Sequence, residues 1–484
     1  MLSIYNTFSK KKEVFKSIHK GKVGIYTCGP TVYDYIHIGN LRSYLTADIL
    51  RRYLEYLGYE VKHIKNITDV GHLTDDDIAQ GDSGEDKLIK KSQEIKKTPQ
   101  EIAKFYEDYF HKTEKELNIL PAHYFPKATL HIKEMIDLIK ILLDKGLAYE
   151  VKGNVFYDVT KFENYGKLSG NTLEKLKIGA RLEEHPDKKH PWDFALWLKA
   201  PQNHLMKWNS PWSVGYPGWH IECSAMSTEY LGTTFDIHTG GEDNIFPHHE
   251  AEIAQAEGAS EKKFVNYWVH TRHLLVDGEK MSKSQGNFYR LEDLKKQGYT
   301  AMNFRLLILS SHYRSPLNFT WKGMKQAQKN LDKIIKFIQA IEKIENPEKN
   351  GNEKLVDDIN ANFQNNFEKA LNDDLNTPLA LSILYEWISN LNKLLTANKI
   401  NKSQAKKIKI LWEKVNRVLG LKLSSKKYKK EKIPAKILQL AQKREEARKN
   451  KNFQLADKIR EKINQAGYII EDLDQKFVLK KKND

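Results

Sequence analysis

The pattern that most limits the fold lies between Val23 and Ile67. Val23-Gly24-Ile25-Tyr26 reads as a short buried strand, and a loop holding Gly29, Pro30 and Gly39 follows it. From Leu41 to Leu57 apolar residues recur at helical spacing (Leu41, Tyr44, Leu45, Ile49, Leu50, Tyr53 and Leu57), and Gly58 supplies a stop. Val61 to Ile67 reads as a second strand. Strand, loop, helix and strand in this order begin a nucleotide-binding α/β sheet, in which a phosphate sits on the helix N-terminus.

The rest of the chain divides by texture. Asp75 to Asp86 reads as an acidic, glycine-containing loop, and Pro99 to Leu147 as helical throughout. About 152–212 reads as short strands and turns, an insertion within the sheet domain. A helix over Ile245 to Gln255 and a strand over Phe264 to Thr271 follow. Segments 322–344, 353–371, 378–397 and 403–419 carry helical periodicity and predict a bundle. A basic linker begins at Ser424, followed by a helical tail from Pro434 to Ala466 and a strand-like end. The expected organisation is a Rossmann-like parallel-sheet catalytic domain over 1–270 with an insertion near 110–215. A connector at 271–321, an all-α bundle at 322–423 and a small basic domain at 424–484 complete it.

A length of 484 residues suits this division, since a domain takes roughly 150 residues. The net charge of +16 suits a polyanionic partner, RNA first. No apolar run approaches the roughly 18 residues that span a bilayer, and the N-terminus lacks the apolar core of a secretory signal. The expected place is the cytoplasm, without a membrane. Two cysteines, Cys28 and Cys223, exclude a disulfide scaffold.

Two motifs carry the chemistry. His37-Ile38-Gly39-Asn40 lies in the first strand-to-helix loop, and Lys280-Met281-Ser282-Lys283-Ser284 lies far downstream in the connector. Each alone is weak; together, in this order and context, they are specific. Attack of a carboxylate on the α-phosphate of ATP builds charge on phosphate oxygens, and lysines with an imidazole donor stabilise it. The two signatures resemble those of class I aminoacyl-tRNA synthetases, whose first motif usually ends in a second histidine. Asn40 occupies that place here, so weight falls on His37 and Lys283, with Lys280 assisting. Magnesium is expected to accompany ATP on its phosphates.

Cys28 lies just ahead of the first signature, and Cys223 lies in Gly218-Trp219-His220-Ile221-Glu222-Cys223. His248 and Glu252 are four apart, a spacing that puts both on one helix face. Two thiolates, an imidazole and a carboxylate form an acceptable zinc set. By spacing, His220 or His249 could replace His248, and the His-His-Glu cluster could be a polar cap. These segments, with Asp236-Ile237-His238, resemble the signature segments of cysteinyl-tRNA synthetases. So do Asn66-Ile67-Thr68-Asp69-Val70, Trp192 to Trp197 and Asp373 to Pro378, and the likeness covers nearly the whole chain.

That resemblance implies one zinc ion on Cys28, Cys223, His248 and Glu252. It also implies an ATP site at His37, Gly39 and Lys283, and an amino-acid pocket of Thr68, Trp219, His238 and Asp243. Asp243 would partner the substrate ammonium and Trp219 would form an apolar wall. The implied partners are ATP, L-cysteine and tRNA(Cys), with a monomeric enzyme and an anticodon-binding C-terminal domain. Tyr216 departs from the family's common arginine before Pro-Gly-Trp-His, and the C-terminus lacks the family's frequent final tryptophan. Arg444, Arg448, Asp457 and Arg460 are candidate RNA contacts on a tail helix. Two other readings are a tRNA-independent cysteine ligase and a non-catalytic zinc-containing RNA-binding paralogue. The helical, basic C-terminal part argues against the first, and the intact ATP motifs against the second.

Overall fold

The computed structural model describes all residues except 71–72, 76–82, 87, 89–90, 93, 95, 173, 176–185, 203, 282–285, 346–352, 424–433, 451, 474–475 and 482–484. They form two compact units, Met1–Leu294 with Thr300–Lys426, and Lys295–Tyr299 with Lys427–Asp484. Among the described residues no helix is long and apolar enough to cross a membrane.

The first unit is built on a four-stranded sheet of Lys22–Thr27 (β1), Glu60–Lys65 (β2), Phe235–Gly241 (β3) and Val265–Thr271 (β4). The order is β4-β3-β1-β2, with every pair parallel. Their runs of buried residues fit strands covered on both faces. Helix α1, Ile38–Tyr56, connects β1 to β2. It starts earlier than the apolar periodicity predicts because the first signature is its cap. His37 Nδ1 accepts from the Gly39 N–H at 3.0 Å, and Asn40 Oδ1 accepts from the His37 N–H at 3.4 Å.

The stretch from Pro99 to Leu147 is two helices, Pro99–Glu116 and Ile132–Asp144, not one. Asn118 adopts φ 56°, and Pro121 and Pro126 lack the N–H that a helix needs. The chain between them runs along the β2 edge, with the Lys65 N–H donating to the Tyr124 carbonyl at 3.1 Å. The insertion is an antiparallel five-stranded sheet ordered Trp208–Asn209, Val214–Pro217, Phe194–Lys199, Asn154–Tyr157, Ala148–Val151. Tyr216 is buried there and stacks on His204 with ring centres 4.4 Å apart. Where a loop was expected near Asp75 to Asp86, two short strands, Leu73–Asp75 and Ser83–Asp86, pair.

Helix α2 spans Trp219–Leu231, and α3 spans Glu250–Ser260. The sequence places the start of α3 at Ile245, but 245–249 is an irregular turn in which Phe246 is extended (φ −141°, ψ 132°). Phe246 precedes Pro247, whose ring disfavours the helical conformation there. Helices Trp321–Glu342, Glu353–Asn372, Thr377–Thr396 and Lys402–Leu419 follow, with Trp387 stacked on Phe363 at 4.5 Å. A buried ion group ties this bundle to α1. Asp48 Oδ2 accepts from Arg305 at 2.6 Å and Arg52 at 2.8 Å, and Arg52 donates onward to the Arg417 carbonyl.

The second unit holds helices Ala435–Lys449 and Phe453–Gln465 and the hairpin Tyr468–Leu473 with Lys476–Lys481. Its core is Ile437, Ala441, Ile459, Ile463, Ile470 and Leu479. The expected single tail helix is therefore two.

Candidate active site

In an open parallel sheet the crevice lies at the carboxyl ends of the strands, where the strand order reverses. Here β1 has β2 on one side and β3 on the other, so residues just after β1 and β3 face one another. The cleft at that edge has a volume of about 470 Å³, and its walls include Cys28, His37, Asn40, Trp219, Asp243 and Lys280. Two glycines bring its backbone together. A Cβ on Gly29 would fall 1.6 Å from the Asn66 carbonyl oxygen, and one on Gly39 would meet the His37 ring at 2.8 Å. Only glycine permits such approaches.

Deeper in, the two thiols meet. Cys28 Sγ lies 3.9 Å from Cys223 Sγ and 3.7 Å from Glu252 Oε1, and His248 Nε2 lies 3.0 Å from that same oxygen. Zinc bonds of about 2.3 Å to sulfur and about 2.0–2.2 Å to nitrogen or oxygen give tetrahedral edges of about 3.3–3.8 Å. The donors therefore stand near the spacing that a zinc ion needs. The charge balance agrees. Burial would raise Glu252, but His238 and His248 outweigh it and hold the carboxyl down at about 2. Burial would lower His248, but Glu252 and Cys223 raise it to about 10. Cys28 is raised, first by burial, while its hydrogen bond lowers Cys223 to about 7. The raised His248 and the lowered Glu252 are the two halves of one buried ion pair, 3.0 Å apart.

A second grouping, Cys28, His238, His249 and Glu252, is equally compact. The set with two sulfurs is the softer and suits zinc better. In addition, His238 Nε2 donates to Glu252 Oε2 at 2.9 Å, the place of a residue that orients a ligand. His249 Nε2 stands 3.2 Å from Cys28 Sγ, and its Nδ1 is 2.7 Å from His270 Nε2.

The sequence-predicted residues distribute as follows. His37, Gly39, Asn40, Trp219, Asp243, Lys280 and Cys28 line the cleft, with Cys223, His248 and Glu252 buried behind it. Trp219 stacks on the His248 ring at 4.5 Å. Thr68 and His238 are buried and outside that lining; Thr68 Oγ1 donates to Glu222 Oε2 at 2.9 Å. Asp243 is largely exposed and pairs with Lys280 Nζ at 3.2 Å and His273 Nδ1 at 3.3 Å. His220 Nδ1 is 2.9 Å from His248 Nδ1 and so backs that imidazole. Lys283 lies outside the described residues. In the second unit Arg444 is buried, which removes it as an exposed RNA contact, while Arg448, Asp457 and Arg460 are exposed. Sequence reasoning held Asn66 only as part of a family segment, without its contact, and missed His270. Asn66 Oδ1 accepts from the Gly29 N–H at 2.8 Å, a contact whose only signal was a glycine after a cysteine.

The family model of the tRNA synthetases class I (C) catalytic domain matches residues 14–329, and that of the DALR domain matches 366–424. The chain is 44% identical over 503 residues to the cysteine–tRNA ligase of Treponema denticola, covering 99% of each. It is 41% identical over 476 residues to that of Thermus thermophilus, covering 97% of each. Among solved structures, Mycobacterium tuberculosis methionyl-tRNA synthetase with methionyl-adenylate superposes with a TM-score of 0.58 at 12% identity. That match covers 82% of this chain and 90% of the other, and it shows a shared fold. On both the family models and the full-length relatives, this chain belongs to the cysteine–tRNA ligase family of class I aminoacyl-tRNA synthetases and is a ligase.

Proposed function

We propose that this ligase activates L-cysteine with ATP and transfers it to the 3′-terminal ribose of tRNA(Cys). The observation that carries the reading is the meeting of the chain's two thiols with His248 and Glu252 beside a cleft walled by His37 and Lys280. In the first step the cysteine carboxylate attacks the α-phosphate; a phosphorus–oxygen bond forms as the bond to pyrophosphate breaks. His37, Lys280 and Lys283 stabilise the charge that builds on the phosphate oxygens. The Asn40 side-chain oxygen serves the α1 cap, so its NH₂ group is the part that faces the nucleotide. ATP brings magnesium on its phosphates. In the second step a ribose hydroxyl attacks the adenylate carbonyl carbon and AMP leaves.

Cys28, Cys223, His248 and Glu252 hold zinc in this reading, with His238 and Trp219 fixing Glu252 and His248 from behind. A bound zinc ion supplies a soft Lewis acid that favours a thiolate over the alcohol of serine. Shape alone discriminates poorly, since even a methylene gives only about 10- to 200-fold selectivity. Asp243 receives the substrate ammonium in place of Lys280 or His273. The 424–484 region, with Arg448 and Arg460 exposed on its helices, serves the anticodon end of tRNA. The four-part division of the chain belongs to this same reading. The test is charging of a tRNA(Cys) transcript with labelled cysteine or serine. Cysteine should load and serine should not; loading of both, or of neither, contradicts the reading.

A further inference from the structure

The segment that follows the lysine motif is fastened to the first signature at several points. Asn287 Nδ2 donates to the Lys280 carbonyl at 3.2 Å, closing the base from which Lys280 projects. The Ile38 N–H, one of the donors that an α-helix start leaves unmatched, donates to the Tyr289 carbonyl at 3.0 Å. The Phe288 ring stands edge-on to His37 at 5.0 Å. One short segment therefore holds the backbone of Lys280 and the start of α1 together.

Arg290 adds a tie of its own to this segment, beside the Tyr289 ring packed on Phe319 and Trp321. Its guanidinium carbon lies 4.6 Å from the centre of the Tyr35 ring, two residues before His37. Tyr35 in turn stands edge-on to Tyr109 at 4.7 Å and Tyr106 at 5.0 Å, both on the helix Pro99–Glu116. The Tyr109 hydroxyl donates to Glu292, a second tie between the same helix and the same segment. The Arg290 side chain is only 18% exposed, and its Nε lies 3.6 Å from Asp293 Oδ2. Its cation therefore rests between a carboxylate and the ring with little water around it, where a cation–ring contact is strongest. Arg290 is not part of the cleft lining, whereas Tyr35 and Phe288 are.

We infer that Arg290 and Tyr35 form an anchor that sets His37 and Lys280 at the spacing ATP requires, making Arg290 a positioning residue for adenylate formation. The inference rests on reading the cleft as an ATP site. Cysteine-dependent pyrophosphate exchange in the full chain tests it, comparing wild type, Arg290→Ala, Arg290→Lys, Tyr35→Leu and the Tyr35→Leu/Arg290→Ala double variant. Arg290→Ala should lower kcat/KM for ATP by about tenfold while KM for cysteine holds, and Arg290→Lys should recover part of the loss. The double variant should lose less than the two single losses combined, because the Arg290–Tyr35 contact is common to both. Arg290→Gln, which keeps the stem and removes the cation, gives the same readout where the alanine variant does not fold. Wild-type ATP parameters in a folded variant without the cation overturn the anchor, as do equal losses for ATP and cysteine or additive losses in the double variant. No exchange by the wild type overturns the ATP reading and the anchor with it.

Discussion

Gly39 couples the two ATP motifs through the absence of a side chain. A Cβ there would meet the His37 ring at 2.8 Å and Met281 Cε at 3.1 Å. Gly39→Ala should therefore slow pyrophosphate exchange, by up to about 100-fold if His37 moves on the order of 1 Å, with an unchanged circular-dichroism spectrum. Lys283→Ala should slow adenylate formation by about 10²- to 10³-fold, the usual loss for one transition-state donor, with cysteine affinity preserved. A normal rate in that variant removes Lys283 from the chemistry. His37, Asn40 and Lys280 were legible as a group that meets at one cleft, because chemistry dictates the type and spacing of such motifs. His238 and Thr68 were legible as residues of the site region but not in their placement. Their partners Glu252 and Glu222 lie on other elements, and no local pattern records a contact across 14 or 154 residues.

Helix α1 does two jobs, and its residues separate by turn. The first turn carries His37 and Asn40, while Asp48 and Arg52 face the bundle. Burial would raise the Asp48 carboxyl, but Arg305 and Arg52 outweigh it and hold it below its ordinary value. A carboxyl lowered in the folded state contributes stability that is present above its unfolded pKa, about 3.9. That stability is lost as pH falls through the lower folded value. Asp48→Ala should destabilise the protein by about 3–5 kcal/mol in urea unfolding at neutral pH, since it leaves two guanidinium groups buried without their anion. Below about pH 3.9 the gap between variant and wild type should narrow; a constant gap would mean that the carboxylate charge carries none of it. The elements were largely legible because apolar periodicity records burial. The breaks were not. Asn118 in a left-handed conformation follows the end of a helix that periodicity alone would continue, and Phe246 extended before Pro247 delays the start of α3.

At the scale of the molecule, the ATP and metal motifs end by Ser284, whereas lysine and arginine crowd the chain after Ser424. Removing residues from Ser424 onward should leave pyrophosphate exchange intact and weaken charging at low tRNA concentration. Loss of exchange as well would give that region a structural role in the first unit. Composition announced the polyanionic partner through the +16 charge, but it could not separate buried Arg444 from exposed Arg448 one helical turn away. The central claim is that a zinc ion at the two thiols reads the substrate sulfur. Cobalt substituted for zinc gives a sulfur-to-metal charge-transfer band, which the account predicts will grow on adding cysteine and stay unchanged on adding serine. Cys223→Ser should lose both the metal and cysteine affinity while ATP binding persists. A cobalt spectrum that does not change on saturation with cysteine would contradict the account and leave the metal a purely structural role.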